Sequence, residues 1–173
     1  MAEGTESPES HPQWYAIHTR SRHEKVIAQQ LLLRAVDHFL PLYESIRKWK
    51  NGKFKVQLPL FPGYLFVRIL LNDRKQVIQI PGVVGLVSVN GTPAPLPPDE
   101  IETIRFALEK GVHAQPHPYL NVGSRVRIKT GPLEGLNGIL LRKKGQSRLV
   151  VSVDLIMRSI ATDVEDSEVE PIE

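Results

Sequence analysis

The chain has no cysteine among its 173 residues. That excludes disulfides, thiol nucleophiles and cysteine-ligated metal. Tryptophan occurs only twice, aromatics make up 6% of the chain, and none follows Tyr119. No apolar run approaches the length of a membrane span. Residues 1–12 are acidic and polar, without the apolar core of a signal peptide, so a cytoplasmic protein is expected. There is no glycine-rich phosphate loop and no metal-spaced histidine pair on a helix. His113 and His117 stand four apart, but in a proline-bearing stretch. Neither an enzyme, nor a cofactor, nor a metal site is therefore expected.

Acidic and basic residues are present in near balance, with a net charge of +3, but they are segregated. Glu3, Glu6 and Glu9 are the charged residues of the first twelve. Arg20, Arg22, Lys25, Arg34, Arg47, Lys48, Lys50, Lys53 and Lys55 then stand against Glu24, Asp37 and Glu44. A second basic stretch runs from Arg125 to Arg158, and every charge from Asp163 onward is acidic. Such blocks point to a polyanion near the N-terminal half, or to solvated faces.

Along the chain, 1–12 reads as a disordered tail and Trp14 to Thr19 as a strand. Ser21-Arg22-His23-Glu24 has the pattern of a capping box. A helix should follow to about Ala35, with Ile27, Ala28, Leu31, Leu32 and Ala35 on one face. Ser45 to Lys50 and Lys53 to Leu58 flank Asn51-Gly52, a two-residue hairpin signal. Leu58-Pro59-Leu60-Phe61-Pro62-Gly63 leads into a strand with Tyr64, Phe66 and Arg68 on one side and Leu65, Val67 and Ile69 on the other. A short helix over Asn72 to Ile80, a strand from Val83, an Asn90-Gly91 turn and a helix from Glu100 to Lys110 complete a first α/β domain, 13–111. Pro116 and Pro118 mark a semi-rigid linker, 112–120. Short strands punctuated by glycine then fill 121–173, which implies a small five-stranded barrel. The fold class is α+β.

Trp14-Tyr15 and Phe61-Pro62-Gly63-Tyr64 resemble the N-terminal domain of the NusG family of transcription elongation factors. Val126-x-Ile128-x-x-Gly131-Pro132-x-x-Gly135-x-x-Gly138 resembles a KOW motif. The two in this order, across a proline linker, form a specific signal covering 13–172. Leu60-Phe61-Pro62-x-Tyr64-Leu65-Phe66-Val67, the hairpin, and Arg142-Lys143-Lys144 through Val153 are similar to specialised RfaH-like antiterminators of surface-polysaccharide operons.

The resemblance implies an N-terminal α/β sandwich with an antiparallel sheet and basic hairpin, followed by an SH3-like KOW barrel. It implies docking onto the clamp helices of the RNA polymerase β′ subunit through Trp14, His18, Phe61, Tyr64 and Phe66, with the β subunit as a further option. Upstream or non-template DNA would meet Arg20, Arg22, His23, Lys48, Lys50 and Lys53. A ribosomal protein, the terminator Rho, or neither would meet Leu133, Leu155, Ile156 and Met157, taken as exposed loop-tip residues. The protein would be a monomer that joins the nucleoid through polymerase and has no membrane partner. Helix-disfavouring residues such as Val150-Val151-Ser152-Val153 favour a constitutive barrel over a helical alternative. Two other readings stay open: a general housekeeping factor of the same family, and a KOW-type protein that binds RNA or the ribosome.

Overall fold

The computed structural model describes residues 10–173. The expected tail therefore lies largely outside the described residues. The chain divides into two compact units, one of 1–40 with 62–101 and one of 41–61 with 102–173. The basic hairpin and most of the third helix thus group with the C-terminal strands.

The first unit is built on β1 (Gln13–Thr19), α1 (Glu24–Leu33), β2 (Asp37–Phe39), β5 (Tyr64–Ile69), α2 (Arg74–Ile78) and β6 (Val83–Leu86). Its antiparallel sheet has the order β2-β5-β1-β6. β1 and β5 pair from Gln13↔Ile69 to His18↔Tyr64. One sheet face supplies Tyr15, Ile17, Leu65, Val67 and Ile69 to a core closed by Ile27 and Leu31 of α1 and Val77 of α2. This is the alternation the sequence shows, converted into burial.

α1 departs from its expected face. Ile27 and Leu31 are buried, but Leu32 is 69% exposed because it lies about 140° around the helix from Ile27. Ala35 is also exposed, beyond the helix end, with φ 54°. The capping box is absent: His23 occupies the N-cap without a side-chain bond. Arg22 takes φ 62°, and His23 N–H closes a turn onto the Arg20 carbonyl at 3.2 Å. That turn leaves Ser21 short of the helix. The expected Asn72 helix is a 3-10 turn, Leu71–Asp73, followed by α2.

The second unit holds the hairpin β3 (Leu42–Trp49) and β4 (Gly52–Pro59), the later part of α3 (Pro98–Glu109), and β9 (Gln115–His117) to β14 (Val169–Pro171). The five expected C-terminal strands are β10 (Ser124–Ile128), β11 (Asn137–Lys143), β12 (Gln146–Val153), β13 (Arg158–Val164) and β14. They lie in one antiparallel sheet ordered β14-β10-β11-β12-β13-β9. β9 is the addition: 112–120 does not run as a bare connector. Gln115, Pro116 and His117 pair with Ala161, Ile160 and Ser159. Ser159 Oγ accepts the Leu120 N–H at 3.1 Å, and Thr162 Oγ1 donates to the His113 carbonyl at 2.7 Å.

Two tight turns show where glycine is needed. Asn90 and Gly91 both have positive φ, 51° and 79°, as a two-residue hairpin loop between β7 (Ser88–Val89) and β8 (Thr92–Pro93) prefers. At the basic hairpin the loop is one residue earlier than expected. Trp49 pairs with Gly52, so Lys50 and Asn51 form the loop, and Gly52 enters β4 with φ 136°.

Candidate functional site

The residues with functional promise fall into three groups. The first sits at the end of β1 and the start of β5. There the turn Pro62-Gly63 is held by two hydrogen bonds within the first unit. Gly63 N–H donates to Glu24 Oε1 at 2.7 Å, and the Gly63 carbonyl accepts the Thr19 N–H at 2.8 Å. Alongside, Arg20 N–H reaches the Gly82 carbonyl at 2.8 Å. Glu24 is only 5% exposed, so its carboxylate is spent on this junction rather than on the helix N-terminus. No sequence signal joins Glu24 to Gly63, which are 39 residues apart. The sequence pattern assigned that carboxylate to a local cap.

This clasp sets β5 in register with β1, so that His18 and Tyr64 face each other across the strands. Their rings stack with centroids 5.2 Å apart and planes 24° from parallel. His18 is exposed and Tyr64 half-buried. The other expected members of this aromatic set are buried: Trp14, Phe61 and Phe66 are 2%, 1% and 0% exposed. Their expected role as surface anchors is corrected by that burial. Strand alternation puts Phe66 on the same sheet face as Tyr64 and Arg68, yet Phe66 is fully covered and tilts against Phe39 at 6.3 Å. Only the His18–Tyr64 pair reaches the surface.

Next to this pair in the chain, Arg20, Arg22, His23 and Lys25 are all exposed. His23 is constrained from both sides. Its Nδ1 lies 2.9 Å from the Ser21 carbonyl, and its ring lies against Gly82, where an added Cβ would come within 2.8 Å. The structure therefore brings Arg20, Arg22 and His23 together with the His18–Tyr64 stack at one strand end.

The second group is the hairpin. Lys48, Lys50 and Lys53 are exposed there with Arg47 and Lys55. Lys55 pairs with Glu44 at 3.2 Å, and the rest of this cluster has no ion pair among the described residues. Because the hairpin belongs to the second unit, these lysines form a cluster of their own.

The third group is on the C-terminal sheet, where the expected partner residues divide. Met157 is 60% exposed and Leu155 half-buried, but Leu133 and Ile156 are buried at 9% and 4%. The expectation of four exposed loop-tip residues is corrected for these two. A 3-10 turn over Asp154–Ile156 ends on Met157 at φ 50°, so Met157 projects while Ile156 turns inward. Leu133 lines a small apolar cavity with Ile104 and Ala107 of α3 and with Leu149 and Ile160.

Charge on this sheet is largely matched internally. Arg148 Nε lies 3.0 Å from Asp163, and Arg142 Nε lies 3.5 Å from Asp166. Asp166 also accepts from the Ser147 hydroxyl, and chiefly this bond holds its carboxyl below the usual value of 3.8; desolvation opposes it, and the charge and hydrogen bond of Arg142 add smaller lowering effects. The second basic stretch and the acidic end thus neutralise each other in part, which leaves the hairpin as the less compensated basic surface.

A family model described as "Transcription termination factor nusG" matches residues 12–105. The "Transcription termination/antitermination protein NusG" of Vibrio vulnificus (strain CMCP6) is 29% identical over 174 residues, covering 92% of this chain and 96% of the relative. The protein of that name from Staphylococcus aureus (strain Mu50 / ATCC 700699) is 29% identical over 177 residues, covering 92% and 95%. The solved structure described as "Domain interaction in Thermotoga maritima NusG" superposes with a TM-score of 0.58 at 26% identity, covering 94% of this chain and 98% of that one.

Proposed function

The chain belongs to the NusG family of transcription termination and antitermination factors, and from that premise we propose that it rides on RNA polymerase and promotes processive elongation. Docking is through His18 and Tyr64, against the clamp helices of the β′ subunit. Trp14, Phe61 and Phe66 are buried and make no part of that docking surface. The observation that carries this reading is the exposed His18–Tyr64 stack, held in place by the Glu24–Gly63 bond. A flat, preorganised aromatic pair is a good anchor for a helix tip, because little side-chain entropy remains to be lost.

Arg20, Arg22 and His23 next to the anchor, and Lys48, Lys50 and Lys53 on the hairpin, then meet upstream or non-template DNA. The modules are an N-terminal NusG domain, 13–111, and a KOW barrel, 121–173. Met157 and Leu155 are the accessible apolar residues through which the second module takes a ribosomal protein or Rho. The target is a specific operon class, of the surface-polysaccharide type. The test is transcription by core polymerase on a template with a strong pause and a terminator. Added protein shortens the pause and raises read-through; unchanged transcription at saturating protein counts against the proposal.

A further inference from the structure

Phosphate contacts by the hairpin lysines leave its other face unused. Trp49 pairs with Gly52 and Arg47 with Phe54, and these are alternate pairs of one antiparallel ribbon. Side chains of alternate pairs share a face. Trp49, Phe54 and Arg47 therefore stand together on one side of the ribbon tip. Lys48 and Lys53, which pair with each other, stand on the opposite side with Ile46 and Lys55. We propose that the Trp49–Phe54 face is a stacking platform for unpaired DNA bases, with Arg47 and the tip lysines holding the phosphates.

Trp49 is 73% exposed and Phe54 51%. Opposite Trp49 is Gly52, which has no side chain to cover the indole and open space where one would be. Neither ring has an aromatic or cation–π partner among the described residues. The two rings nearest the hairpin tip are thus largely open to solvent, near a turn where exposed apolar surface contributes nothing to a core.

The surrounding charge selects the occupant. Arg47, Lys48, Lys50 and Lys53 have no ion pair among the described residues, and the only acid on the hairpin, Glu44, is at its base on Lys55. An apolar protein groove closing on Trp49 would have to desolvate those cations without compensation. A single strand supplies what both features need, flat bases for the rings and phosphates for the cations. A duplex keeps its bases stacked on each other, so it offers the platform only its ends. The distal aromatic face, which carries Arg47, Trp49, Gly52 and Phe54, stacks a base whatever its sugar, so the committed ligand is the strand found at the proposed docking position, single-stranded DNA. This inference rests on the proposed function, which brings the hairpin to unpaired DNA.

The test uses intrinsic fluorescence of the full chain. Its two tryptophans are Trp14, at 2% exposure, and Trp49, so quenching by a solvent-borne or stacked group reports Trp49. A short oligothymidylate at low salt quenches the emission to saturation and protects it from iodide. By anisotropy of the same strand carrying a fluorescent end label, which needs no tryptophan, a Trp49→Ala/Phe54→Ala double variant with an unchanged circular dichroism spectrum binds at least about fivefold more weakly. Trp49→Phe keeps most of the affinity, whereas Trp49→Leu, apolar but not flat, does not. Equal binding by the double variant overturns the inference. So does a blunt duplex bound as tightly as the DNA strand. Co-sedimentation with polymerase separates this from the functional proposal. The double variant still sediments with the enzyme, and a wild-type chain that does not would sink the functional reading whatever the oligonucleotide result.

Discussion

The Glu24 carboxylate accepts the backbone N–H of Gly63 at 2.7 Å, tying the first turn of α1 to the turn that launches β5. A buried charged acceptor on a backbone donor is among the stronger hydrogen bonds a protein makes. It fixes the strand entry, and the strand entry fixes where Tyr64 meets His18. Stability and the proposed contact surface thus share one junction.

Removing that acceptor leaves the Gly63 N–H without its carboxylate. Glu24→Ala is expected to lower unfolding free energy by about 1.5–3 kcal/mol, and Glu24→Gln by less, since its amide oxygen still accepts. Urea denaturation monitored by circular dichroism measures both. Equal stability of wild type and Glu24→Ala would show that the bond is not structural.

Gly63 itself has φ 85°, with no atom within 4 Å of an added Cβ. Gly63→Ala therefore has room but the wrong backbone preference, and should cost about 1–2 kcal/mol from conformational strain alone. Combined with Glu24→Ala, the two costs should fall short of additive, because both act on one turn. A double-mutant cycle by denaturant titration reads that coupling.

Asp166 gives a pH test. Its carboxyl is held below 3.8 by the Ser147 hydroxyl and by Arg142. A depressed folded-state value means the contribution is fully present above the unfolded value and is lost as pH falls through the folded one. Carboxyl chemical shifts should therefore place the Asp166 midpoint below 3.8. Ser147→Ala should move it upward, toward the ordinary value. An unmoved midpoint would remove the serine as the main cause.

On the hairpin, Lys48→Gln/Lys50→Gln/Lys53→Gln should flatten the salt dependence of single-strand binding. Each lost phosphate contact reduces the log–log slope by about 0.7, so the triple variant should lose about 2. Fluorescence titrations over a range of potassium chloride concentrations measure the slope. An unchanged slope would mean these ammonium groups do not meet phosphates.

Much of the fold was legible because its signals are local. Alternation of Tyr64 to Ile69 predicted β5 and its buried side, and glycine spacing predicted all five strands after residue 121. Features set by distant partners were not legible. Ser21 and Glu24 have the spacing of a cap, but the structure spends Glu24 on Gly63. Pro116 and Pro118 suggested a linker, yet Gln115–His117 finds a pairing edge on β13 that no local pattern announces. The same limit applies to the candidate site. The family resemblance grouped Trp14, His18, Phe61, Tyr64 and Phe66 together, but only tertiary packing separates the buried three from the His18–Tyr64 stack at the surface. Ile156 was hidden for a similar reason, since the left-handed Met157 that turns it inward is not a residue type expected there.

The most direct measurement is binding of the full chain to core RNA polymerase, compared with a His18→Ala/Tyr64→Ala variant that keeps the wild-type circular dichroism spectrum. Both side chains lie outside the Tyr15–Leu65 core, so the variant should fold. Wild-type protein is expected to co-sediment with polymerase and the variant to bind at least about tenfold more weakly, as loss of a hot-spot pair implies. Undiminished binding by the folded variant would contradict the assignment of this surface to polymerase.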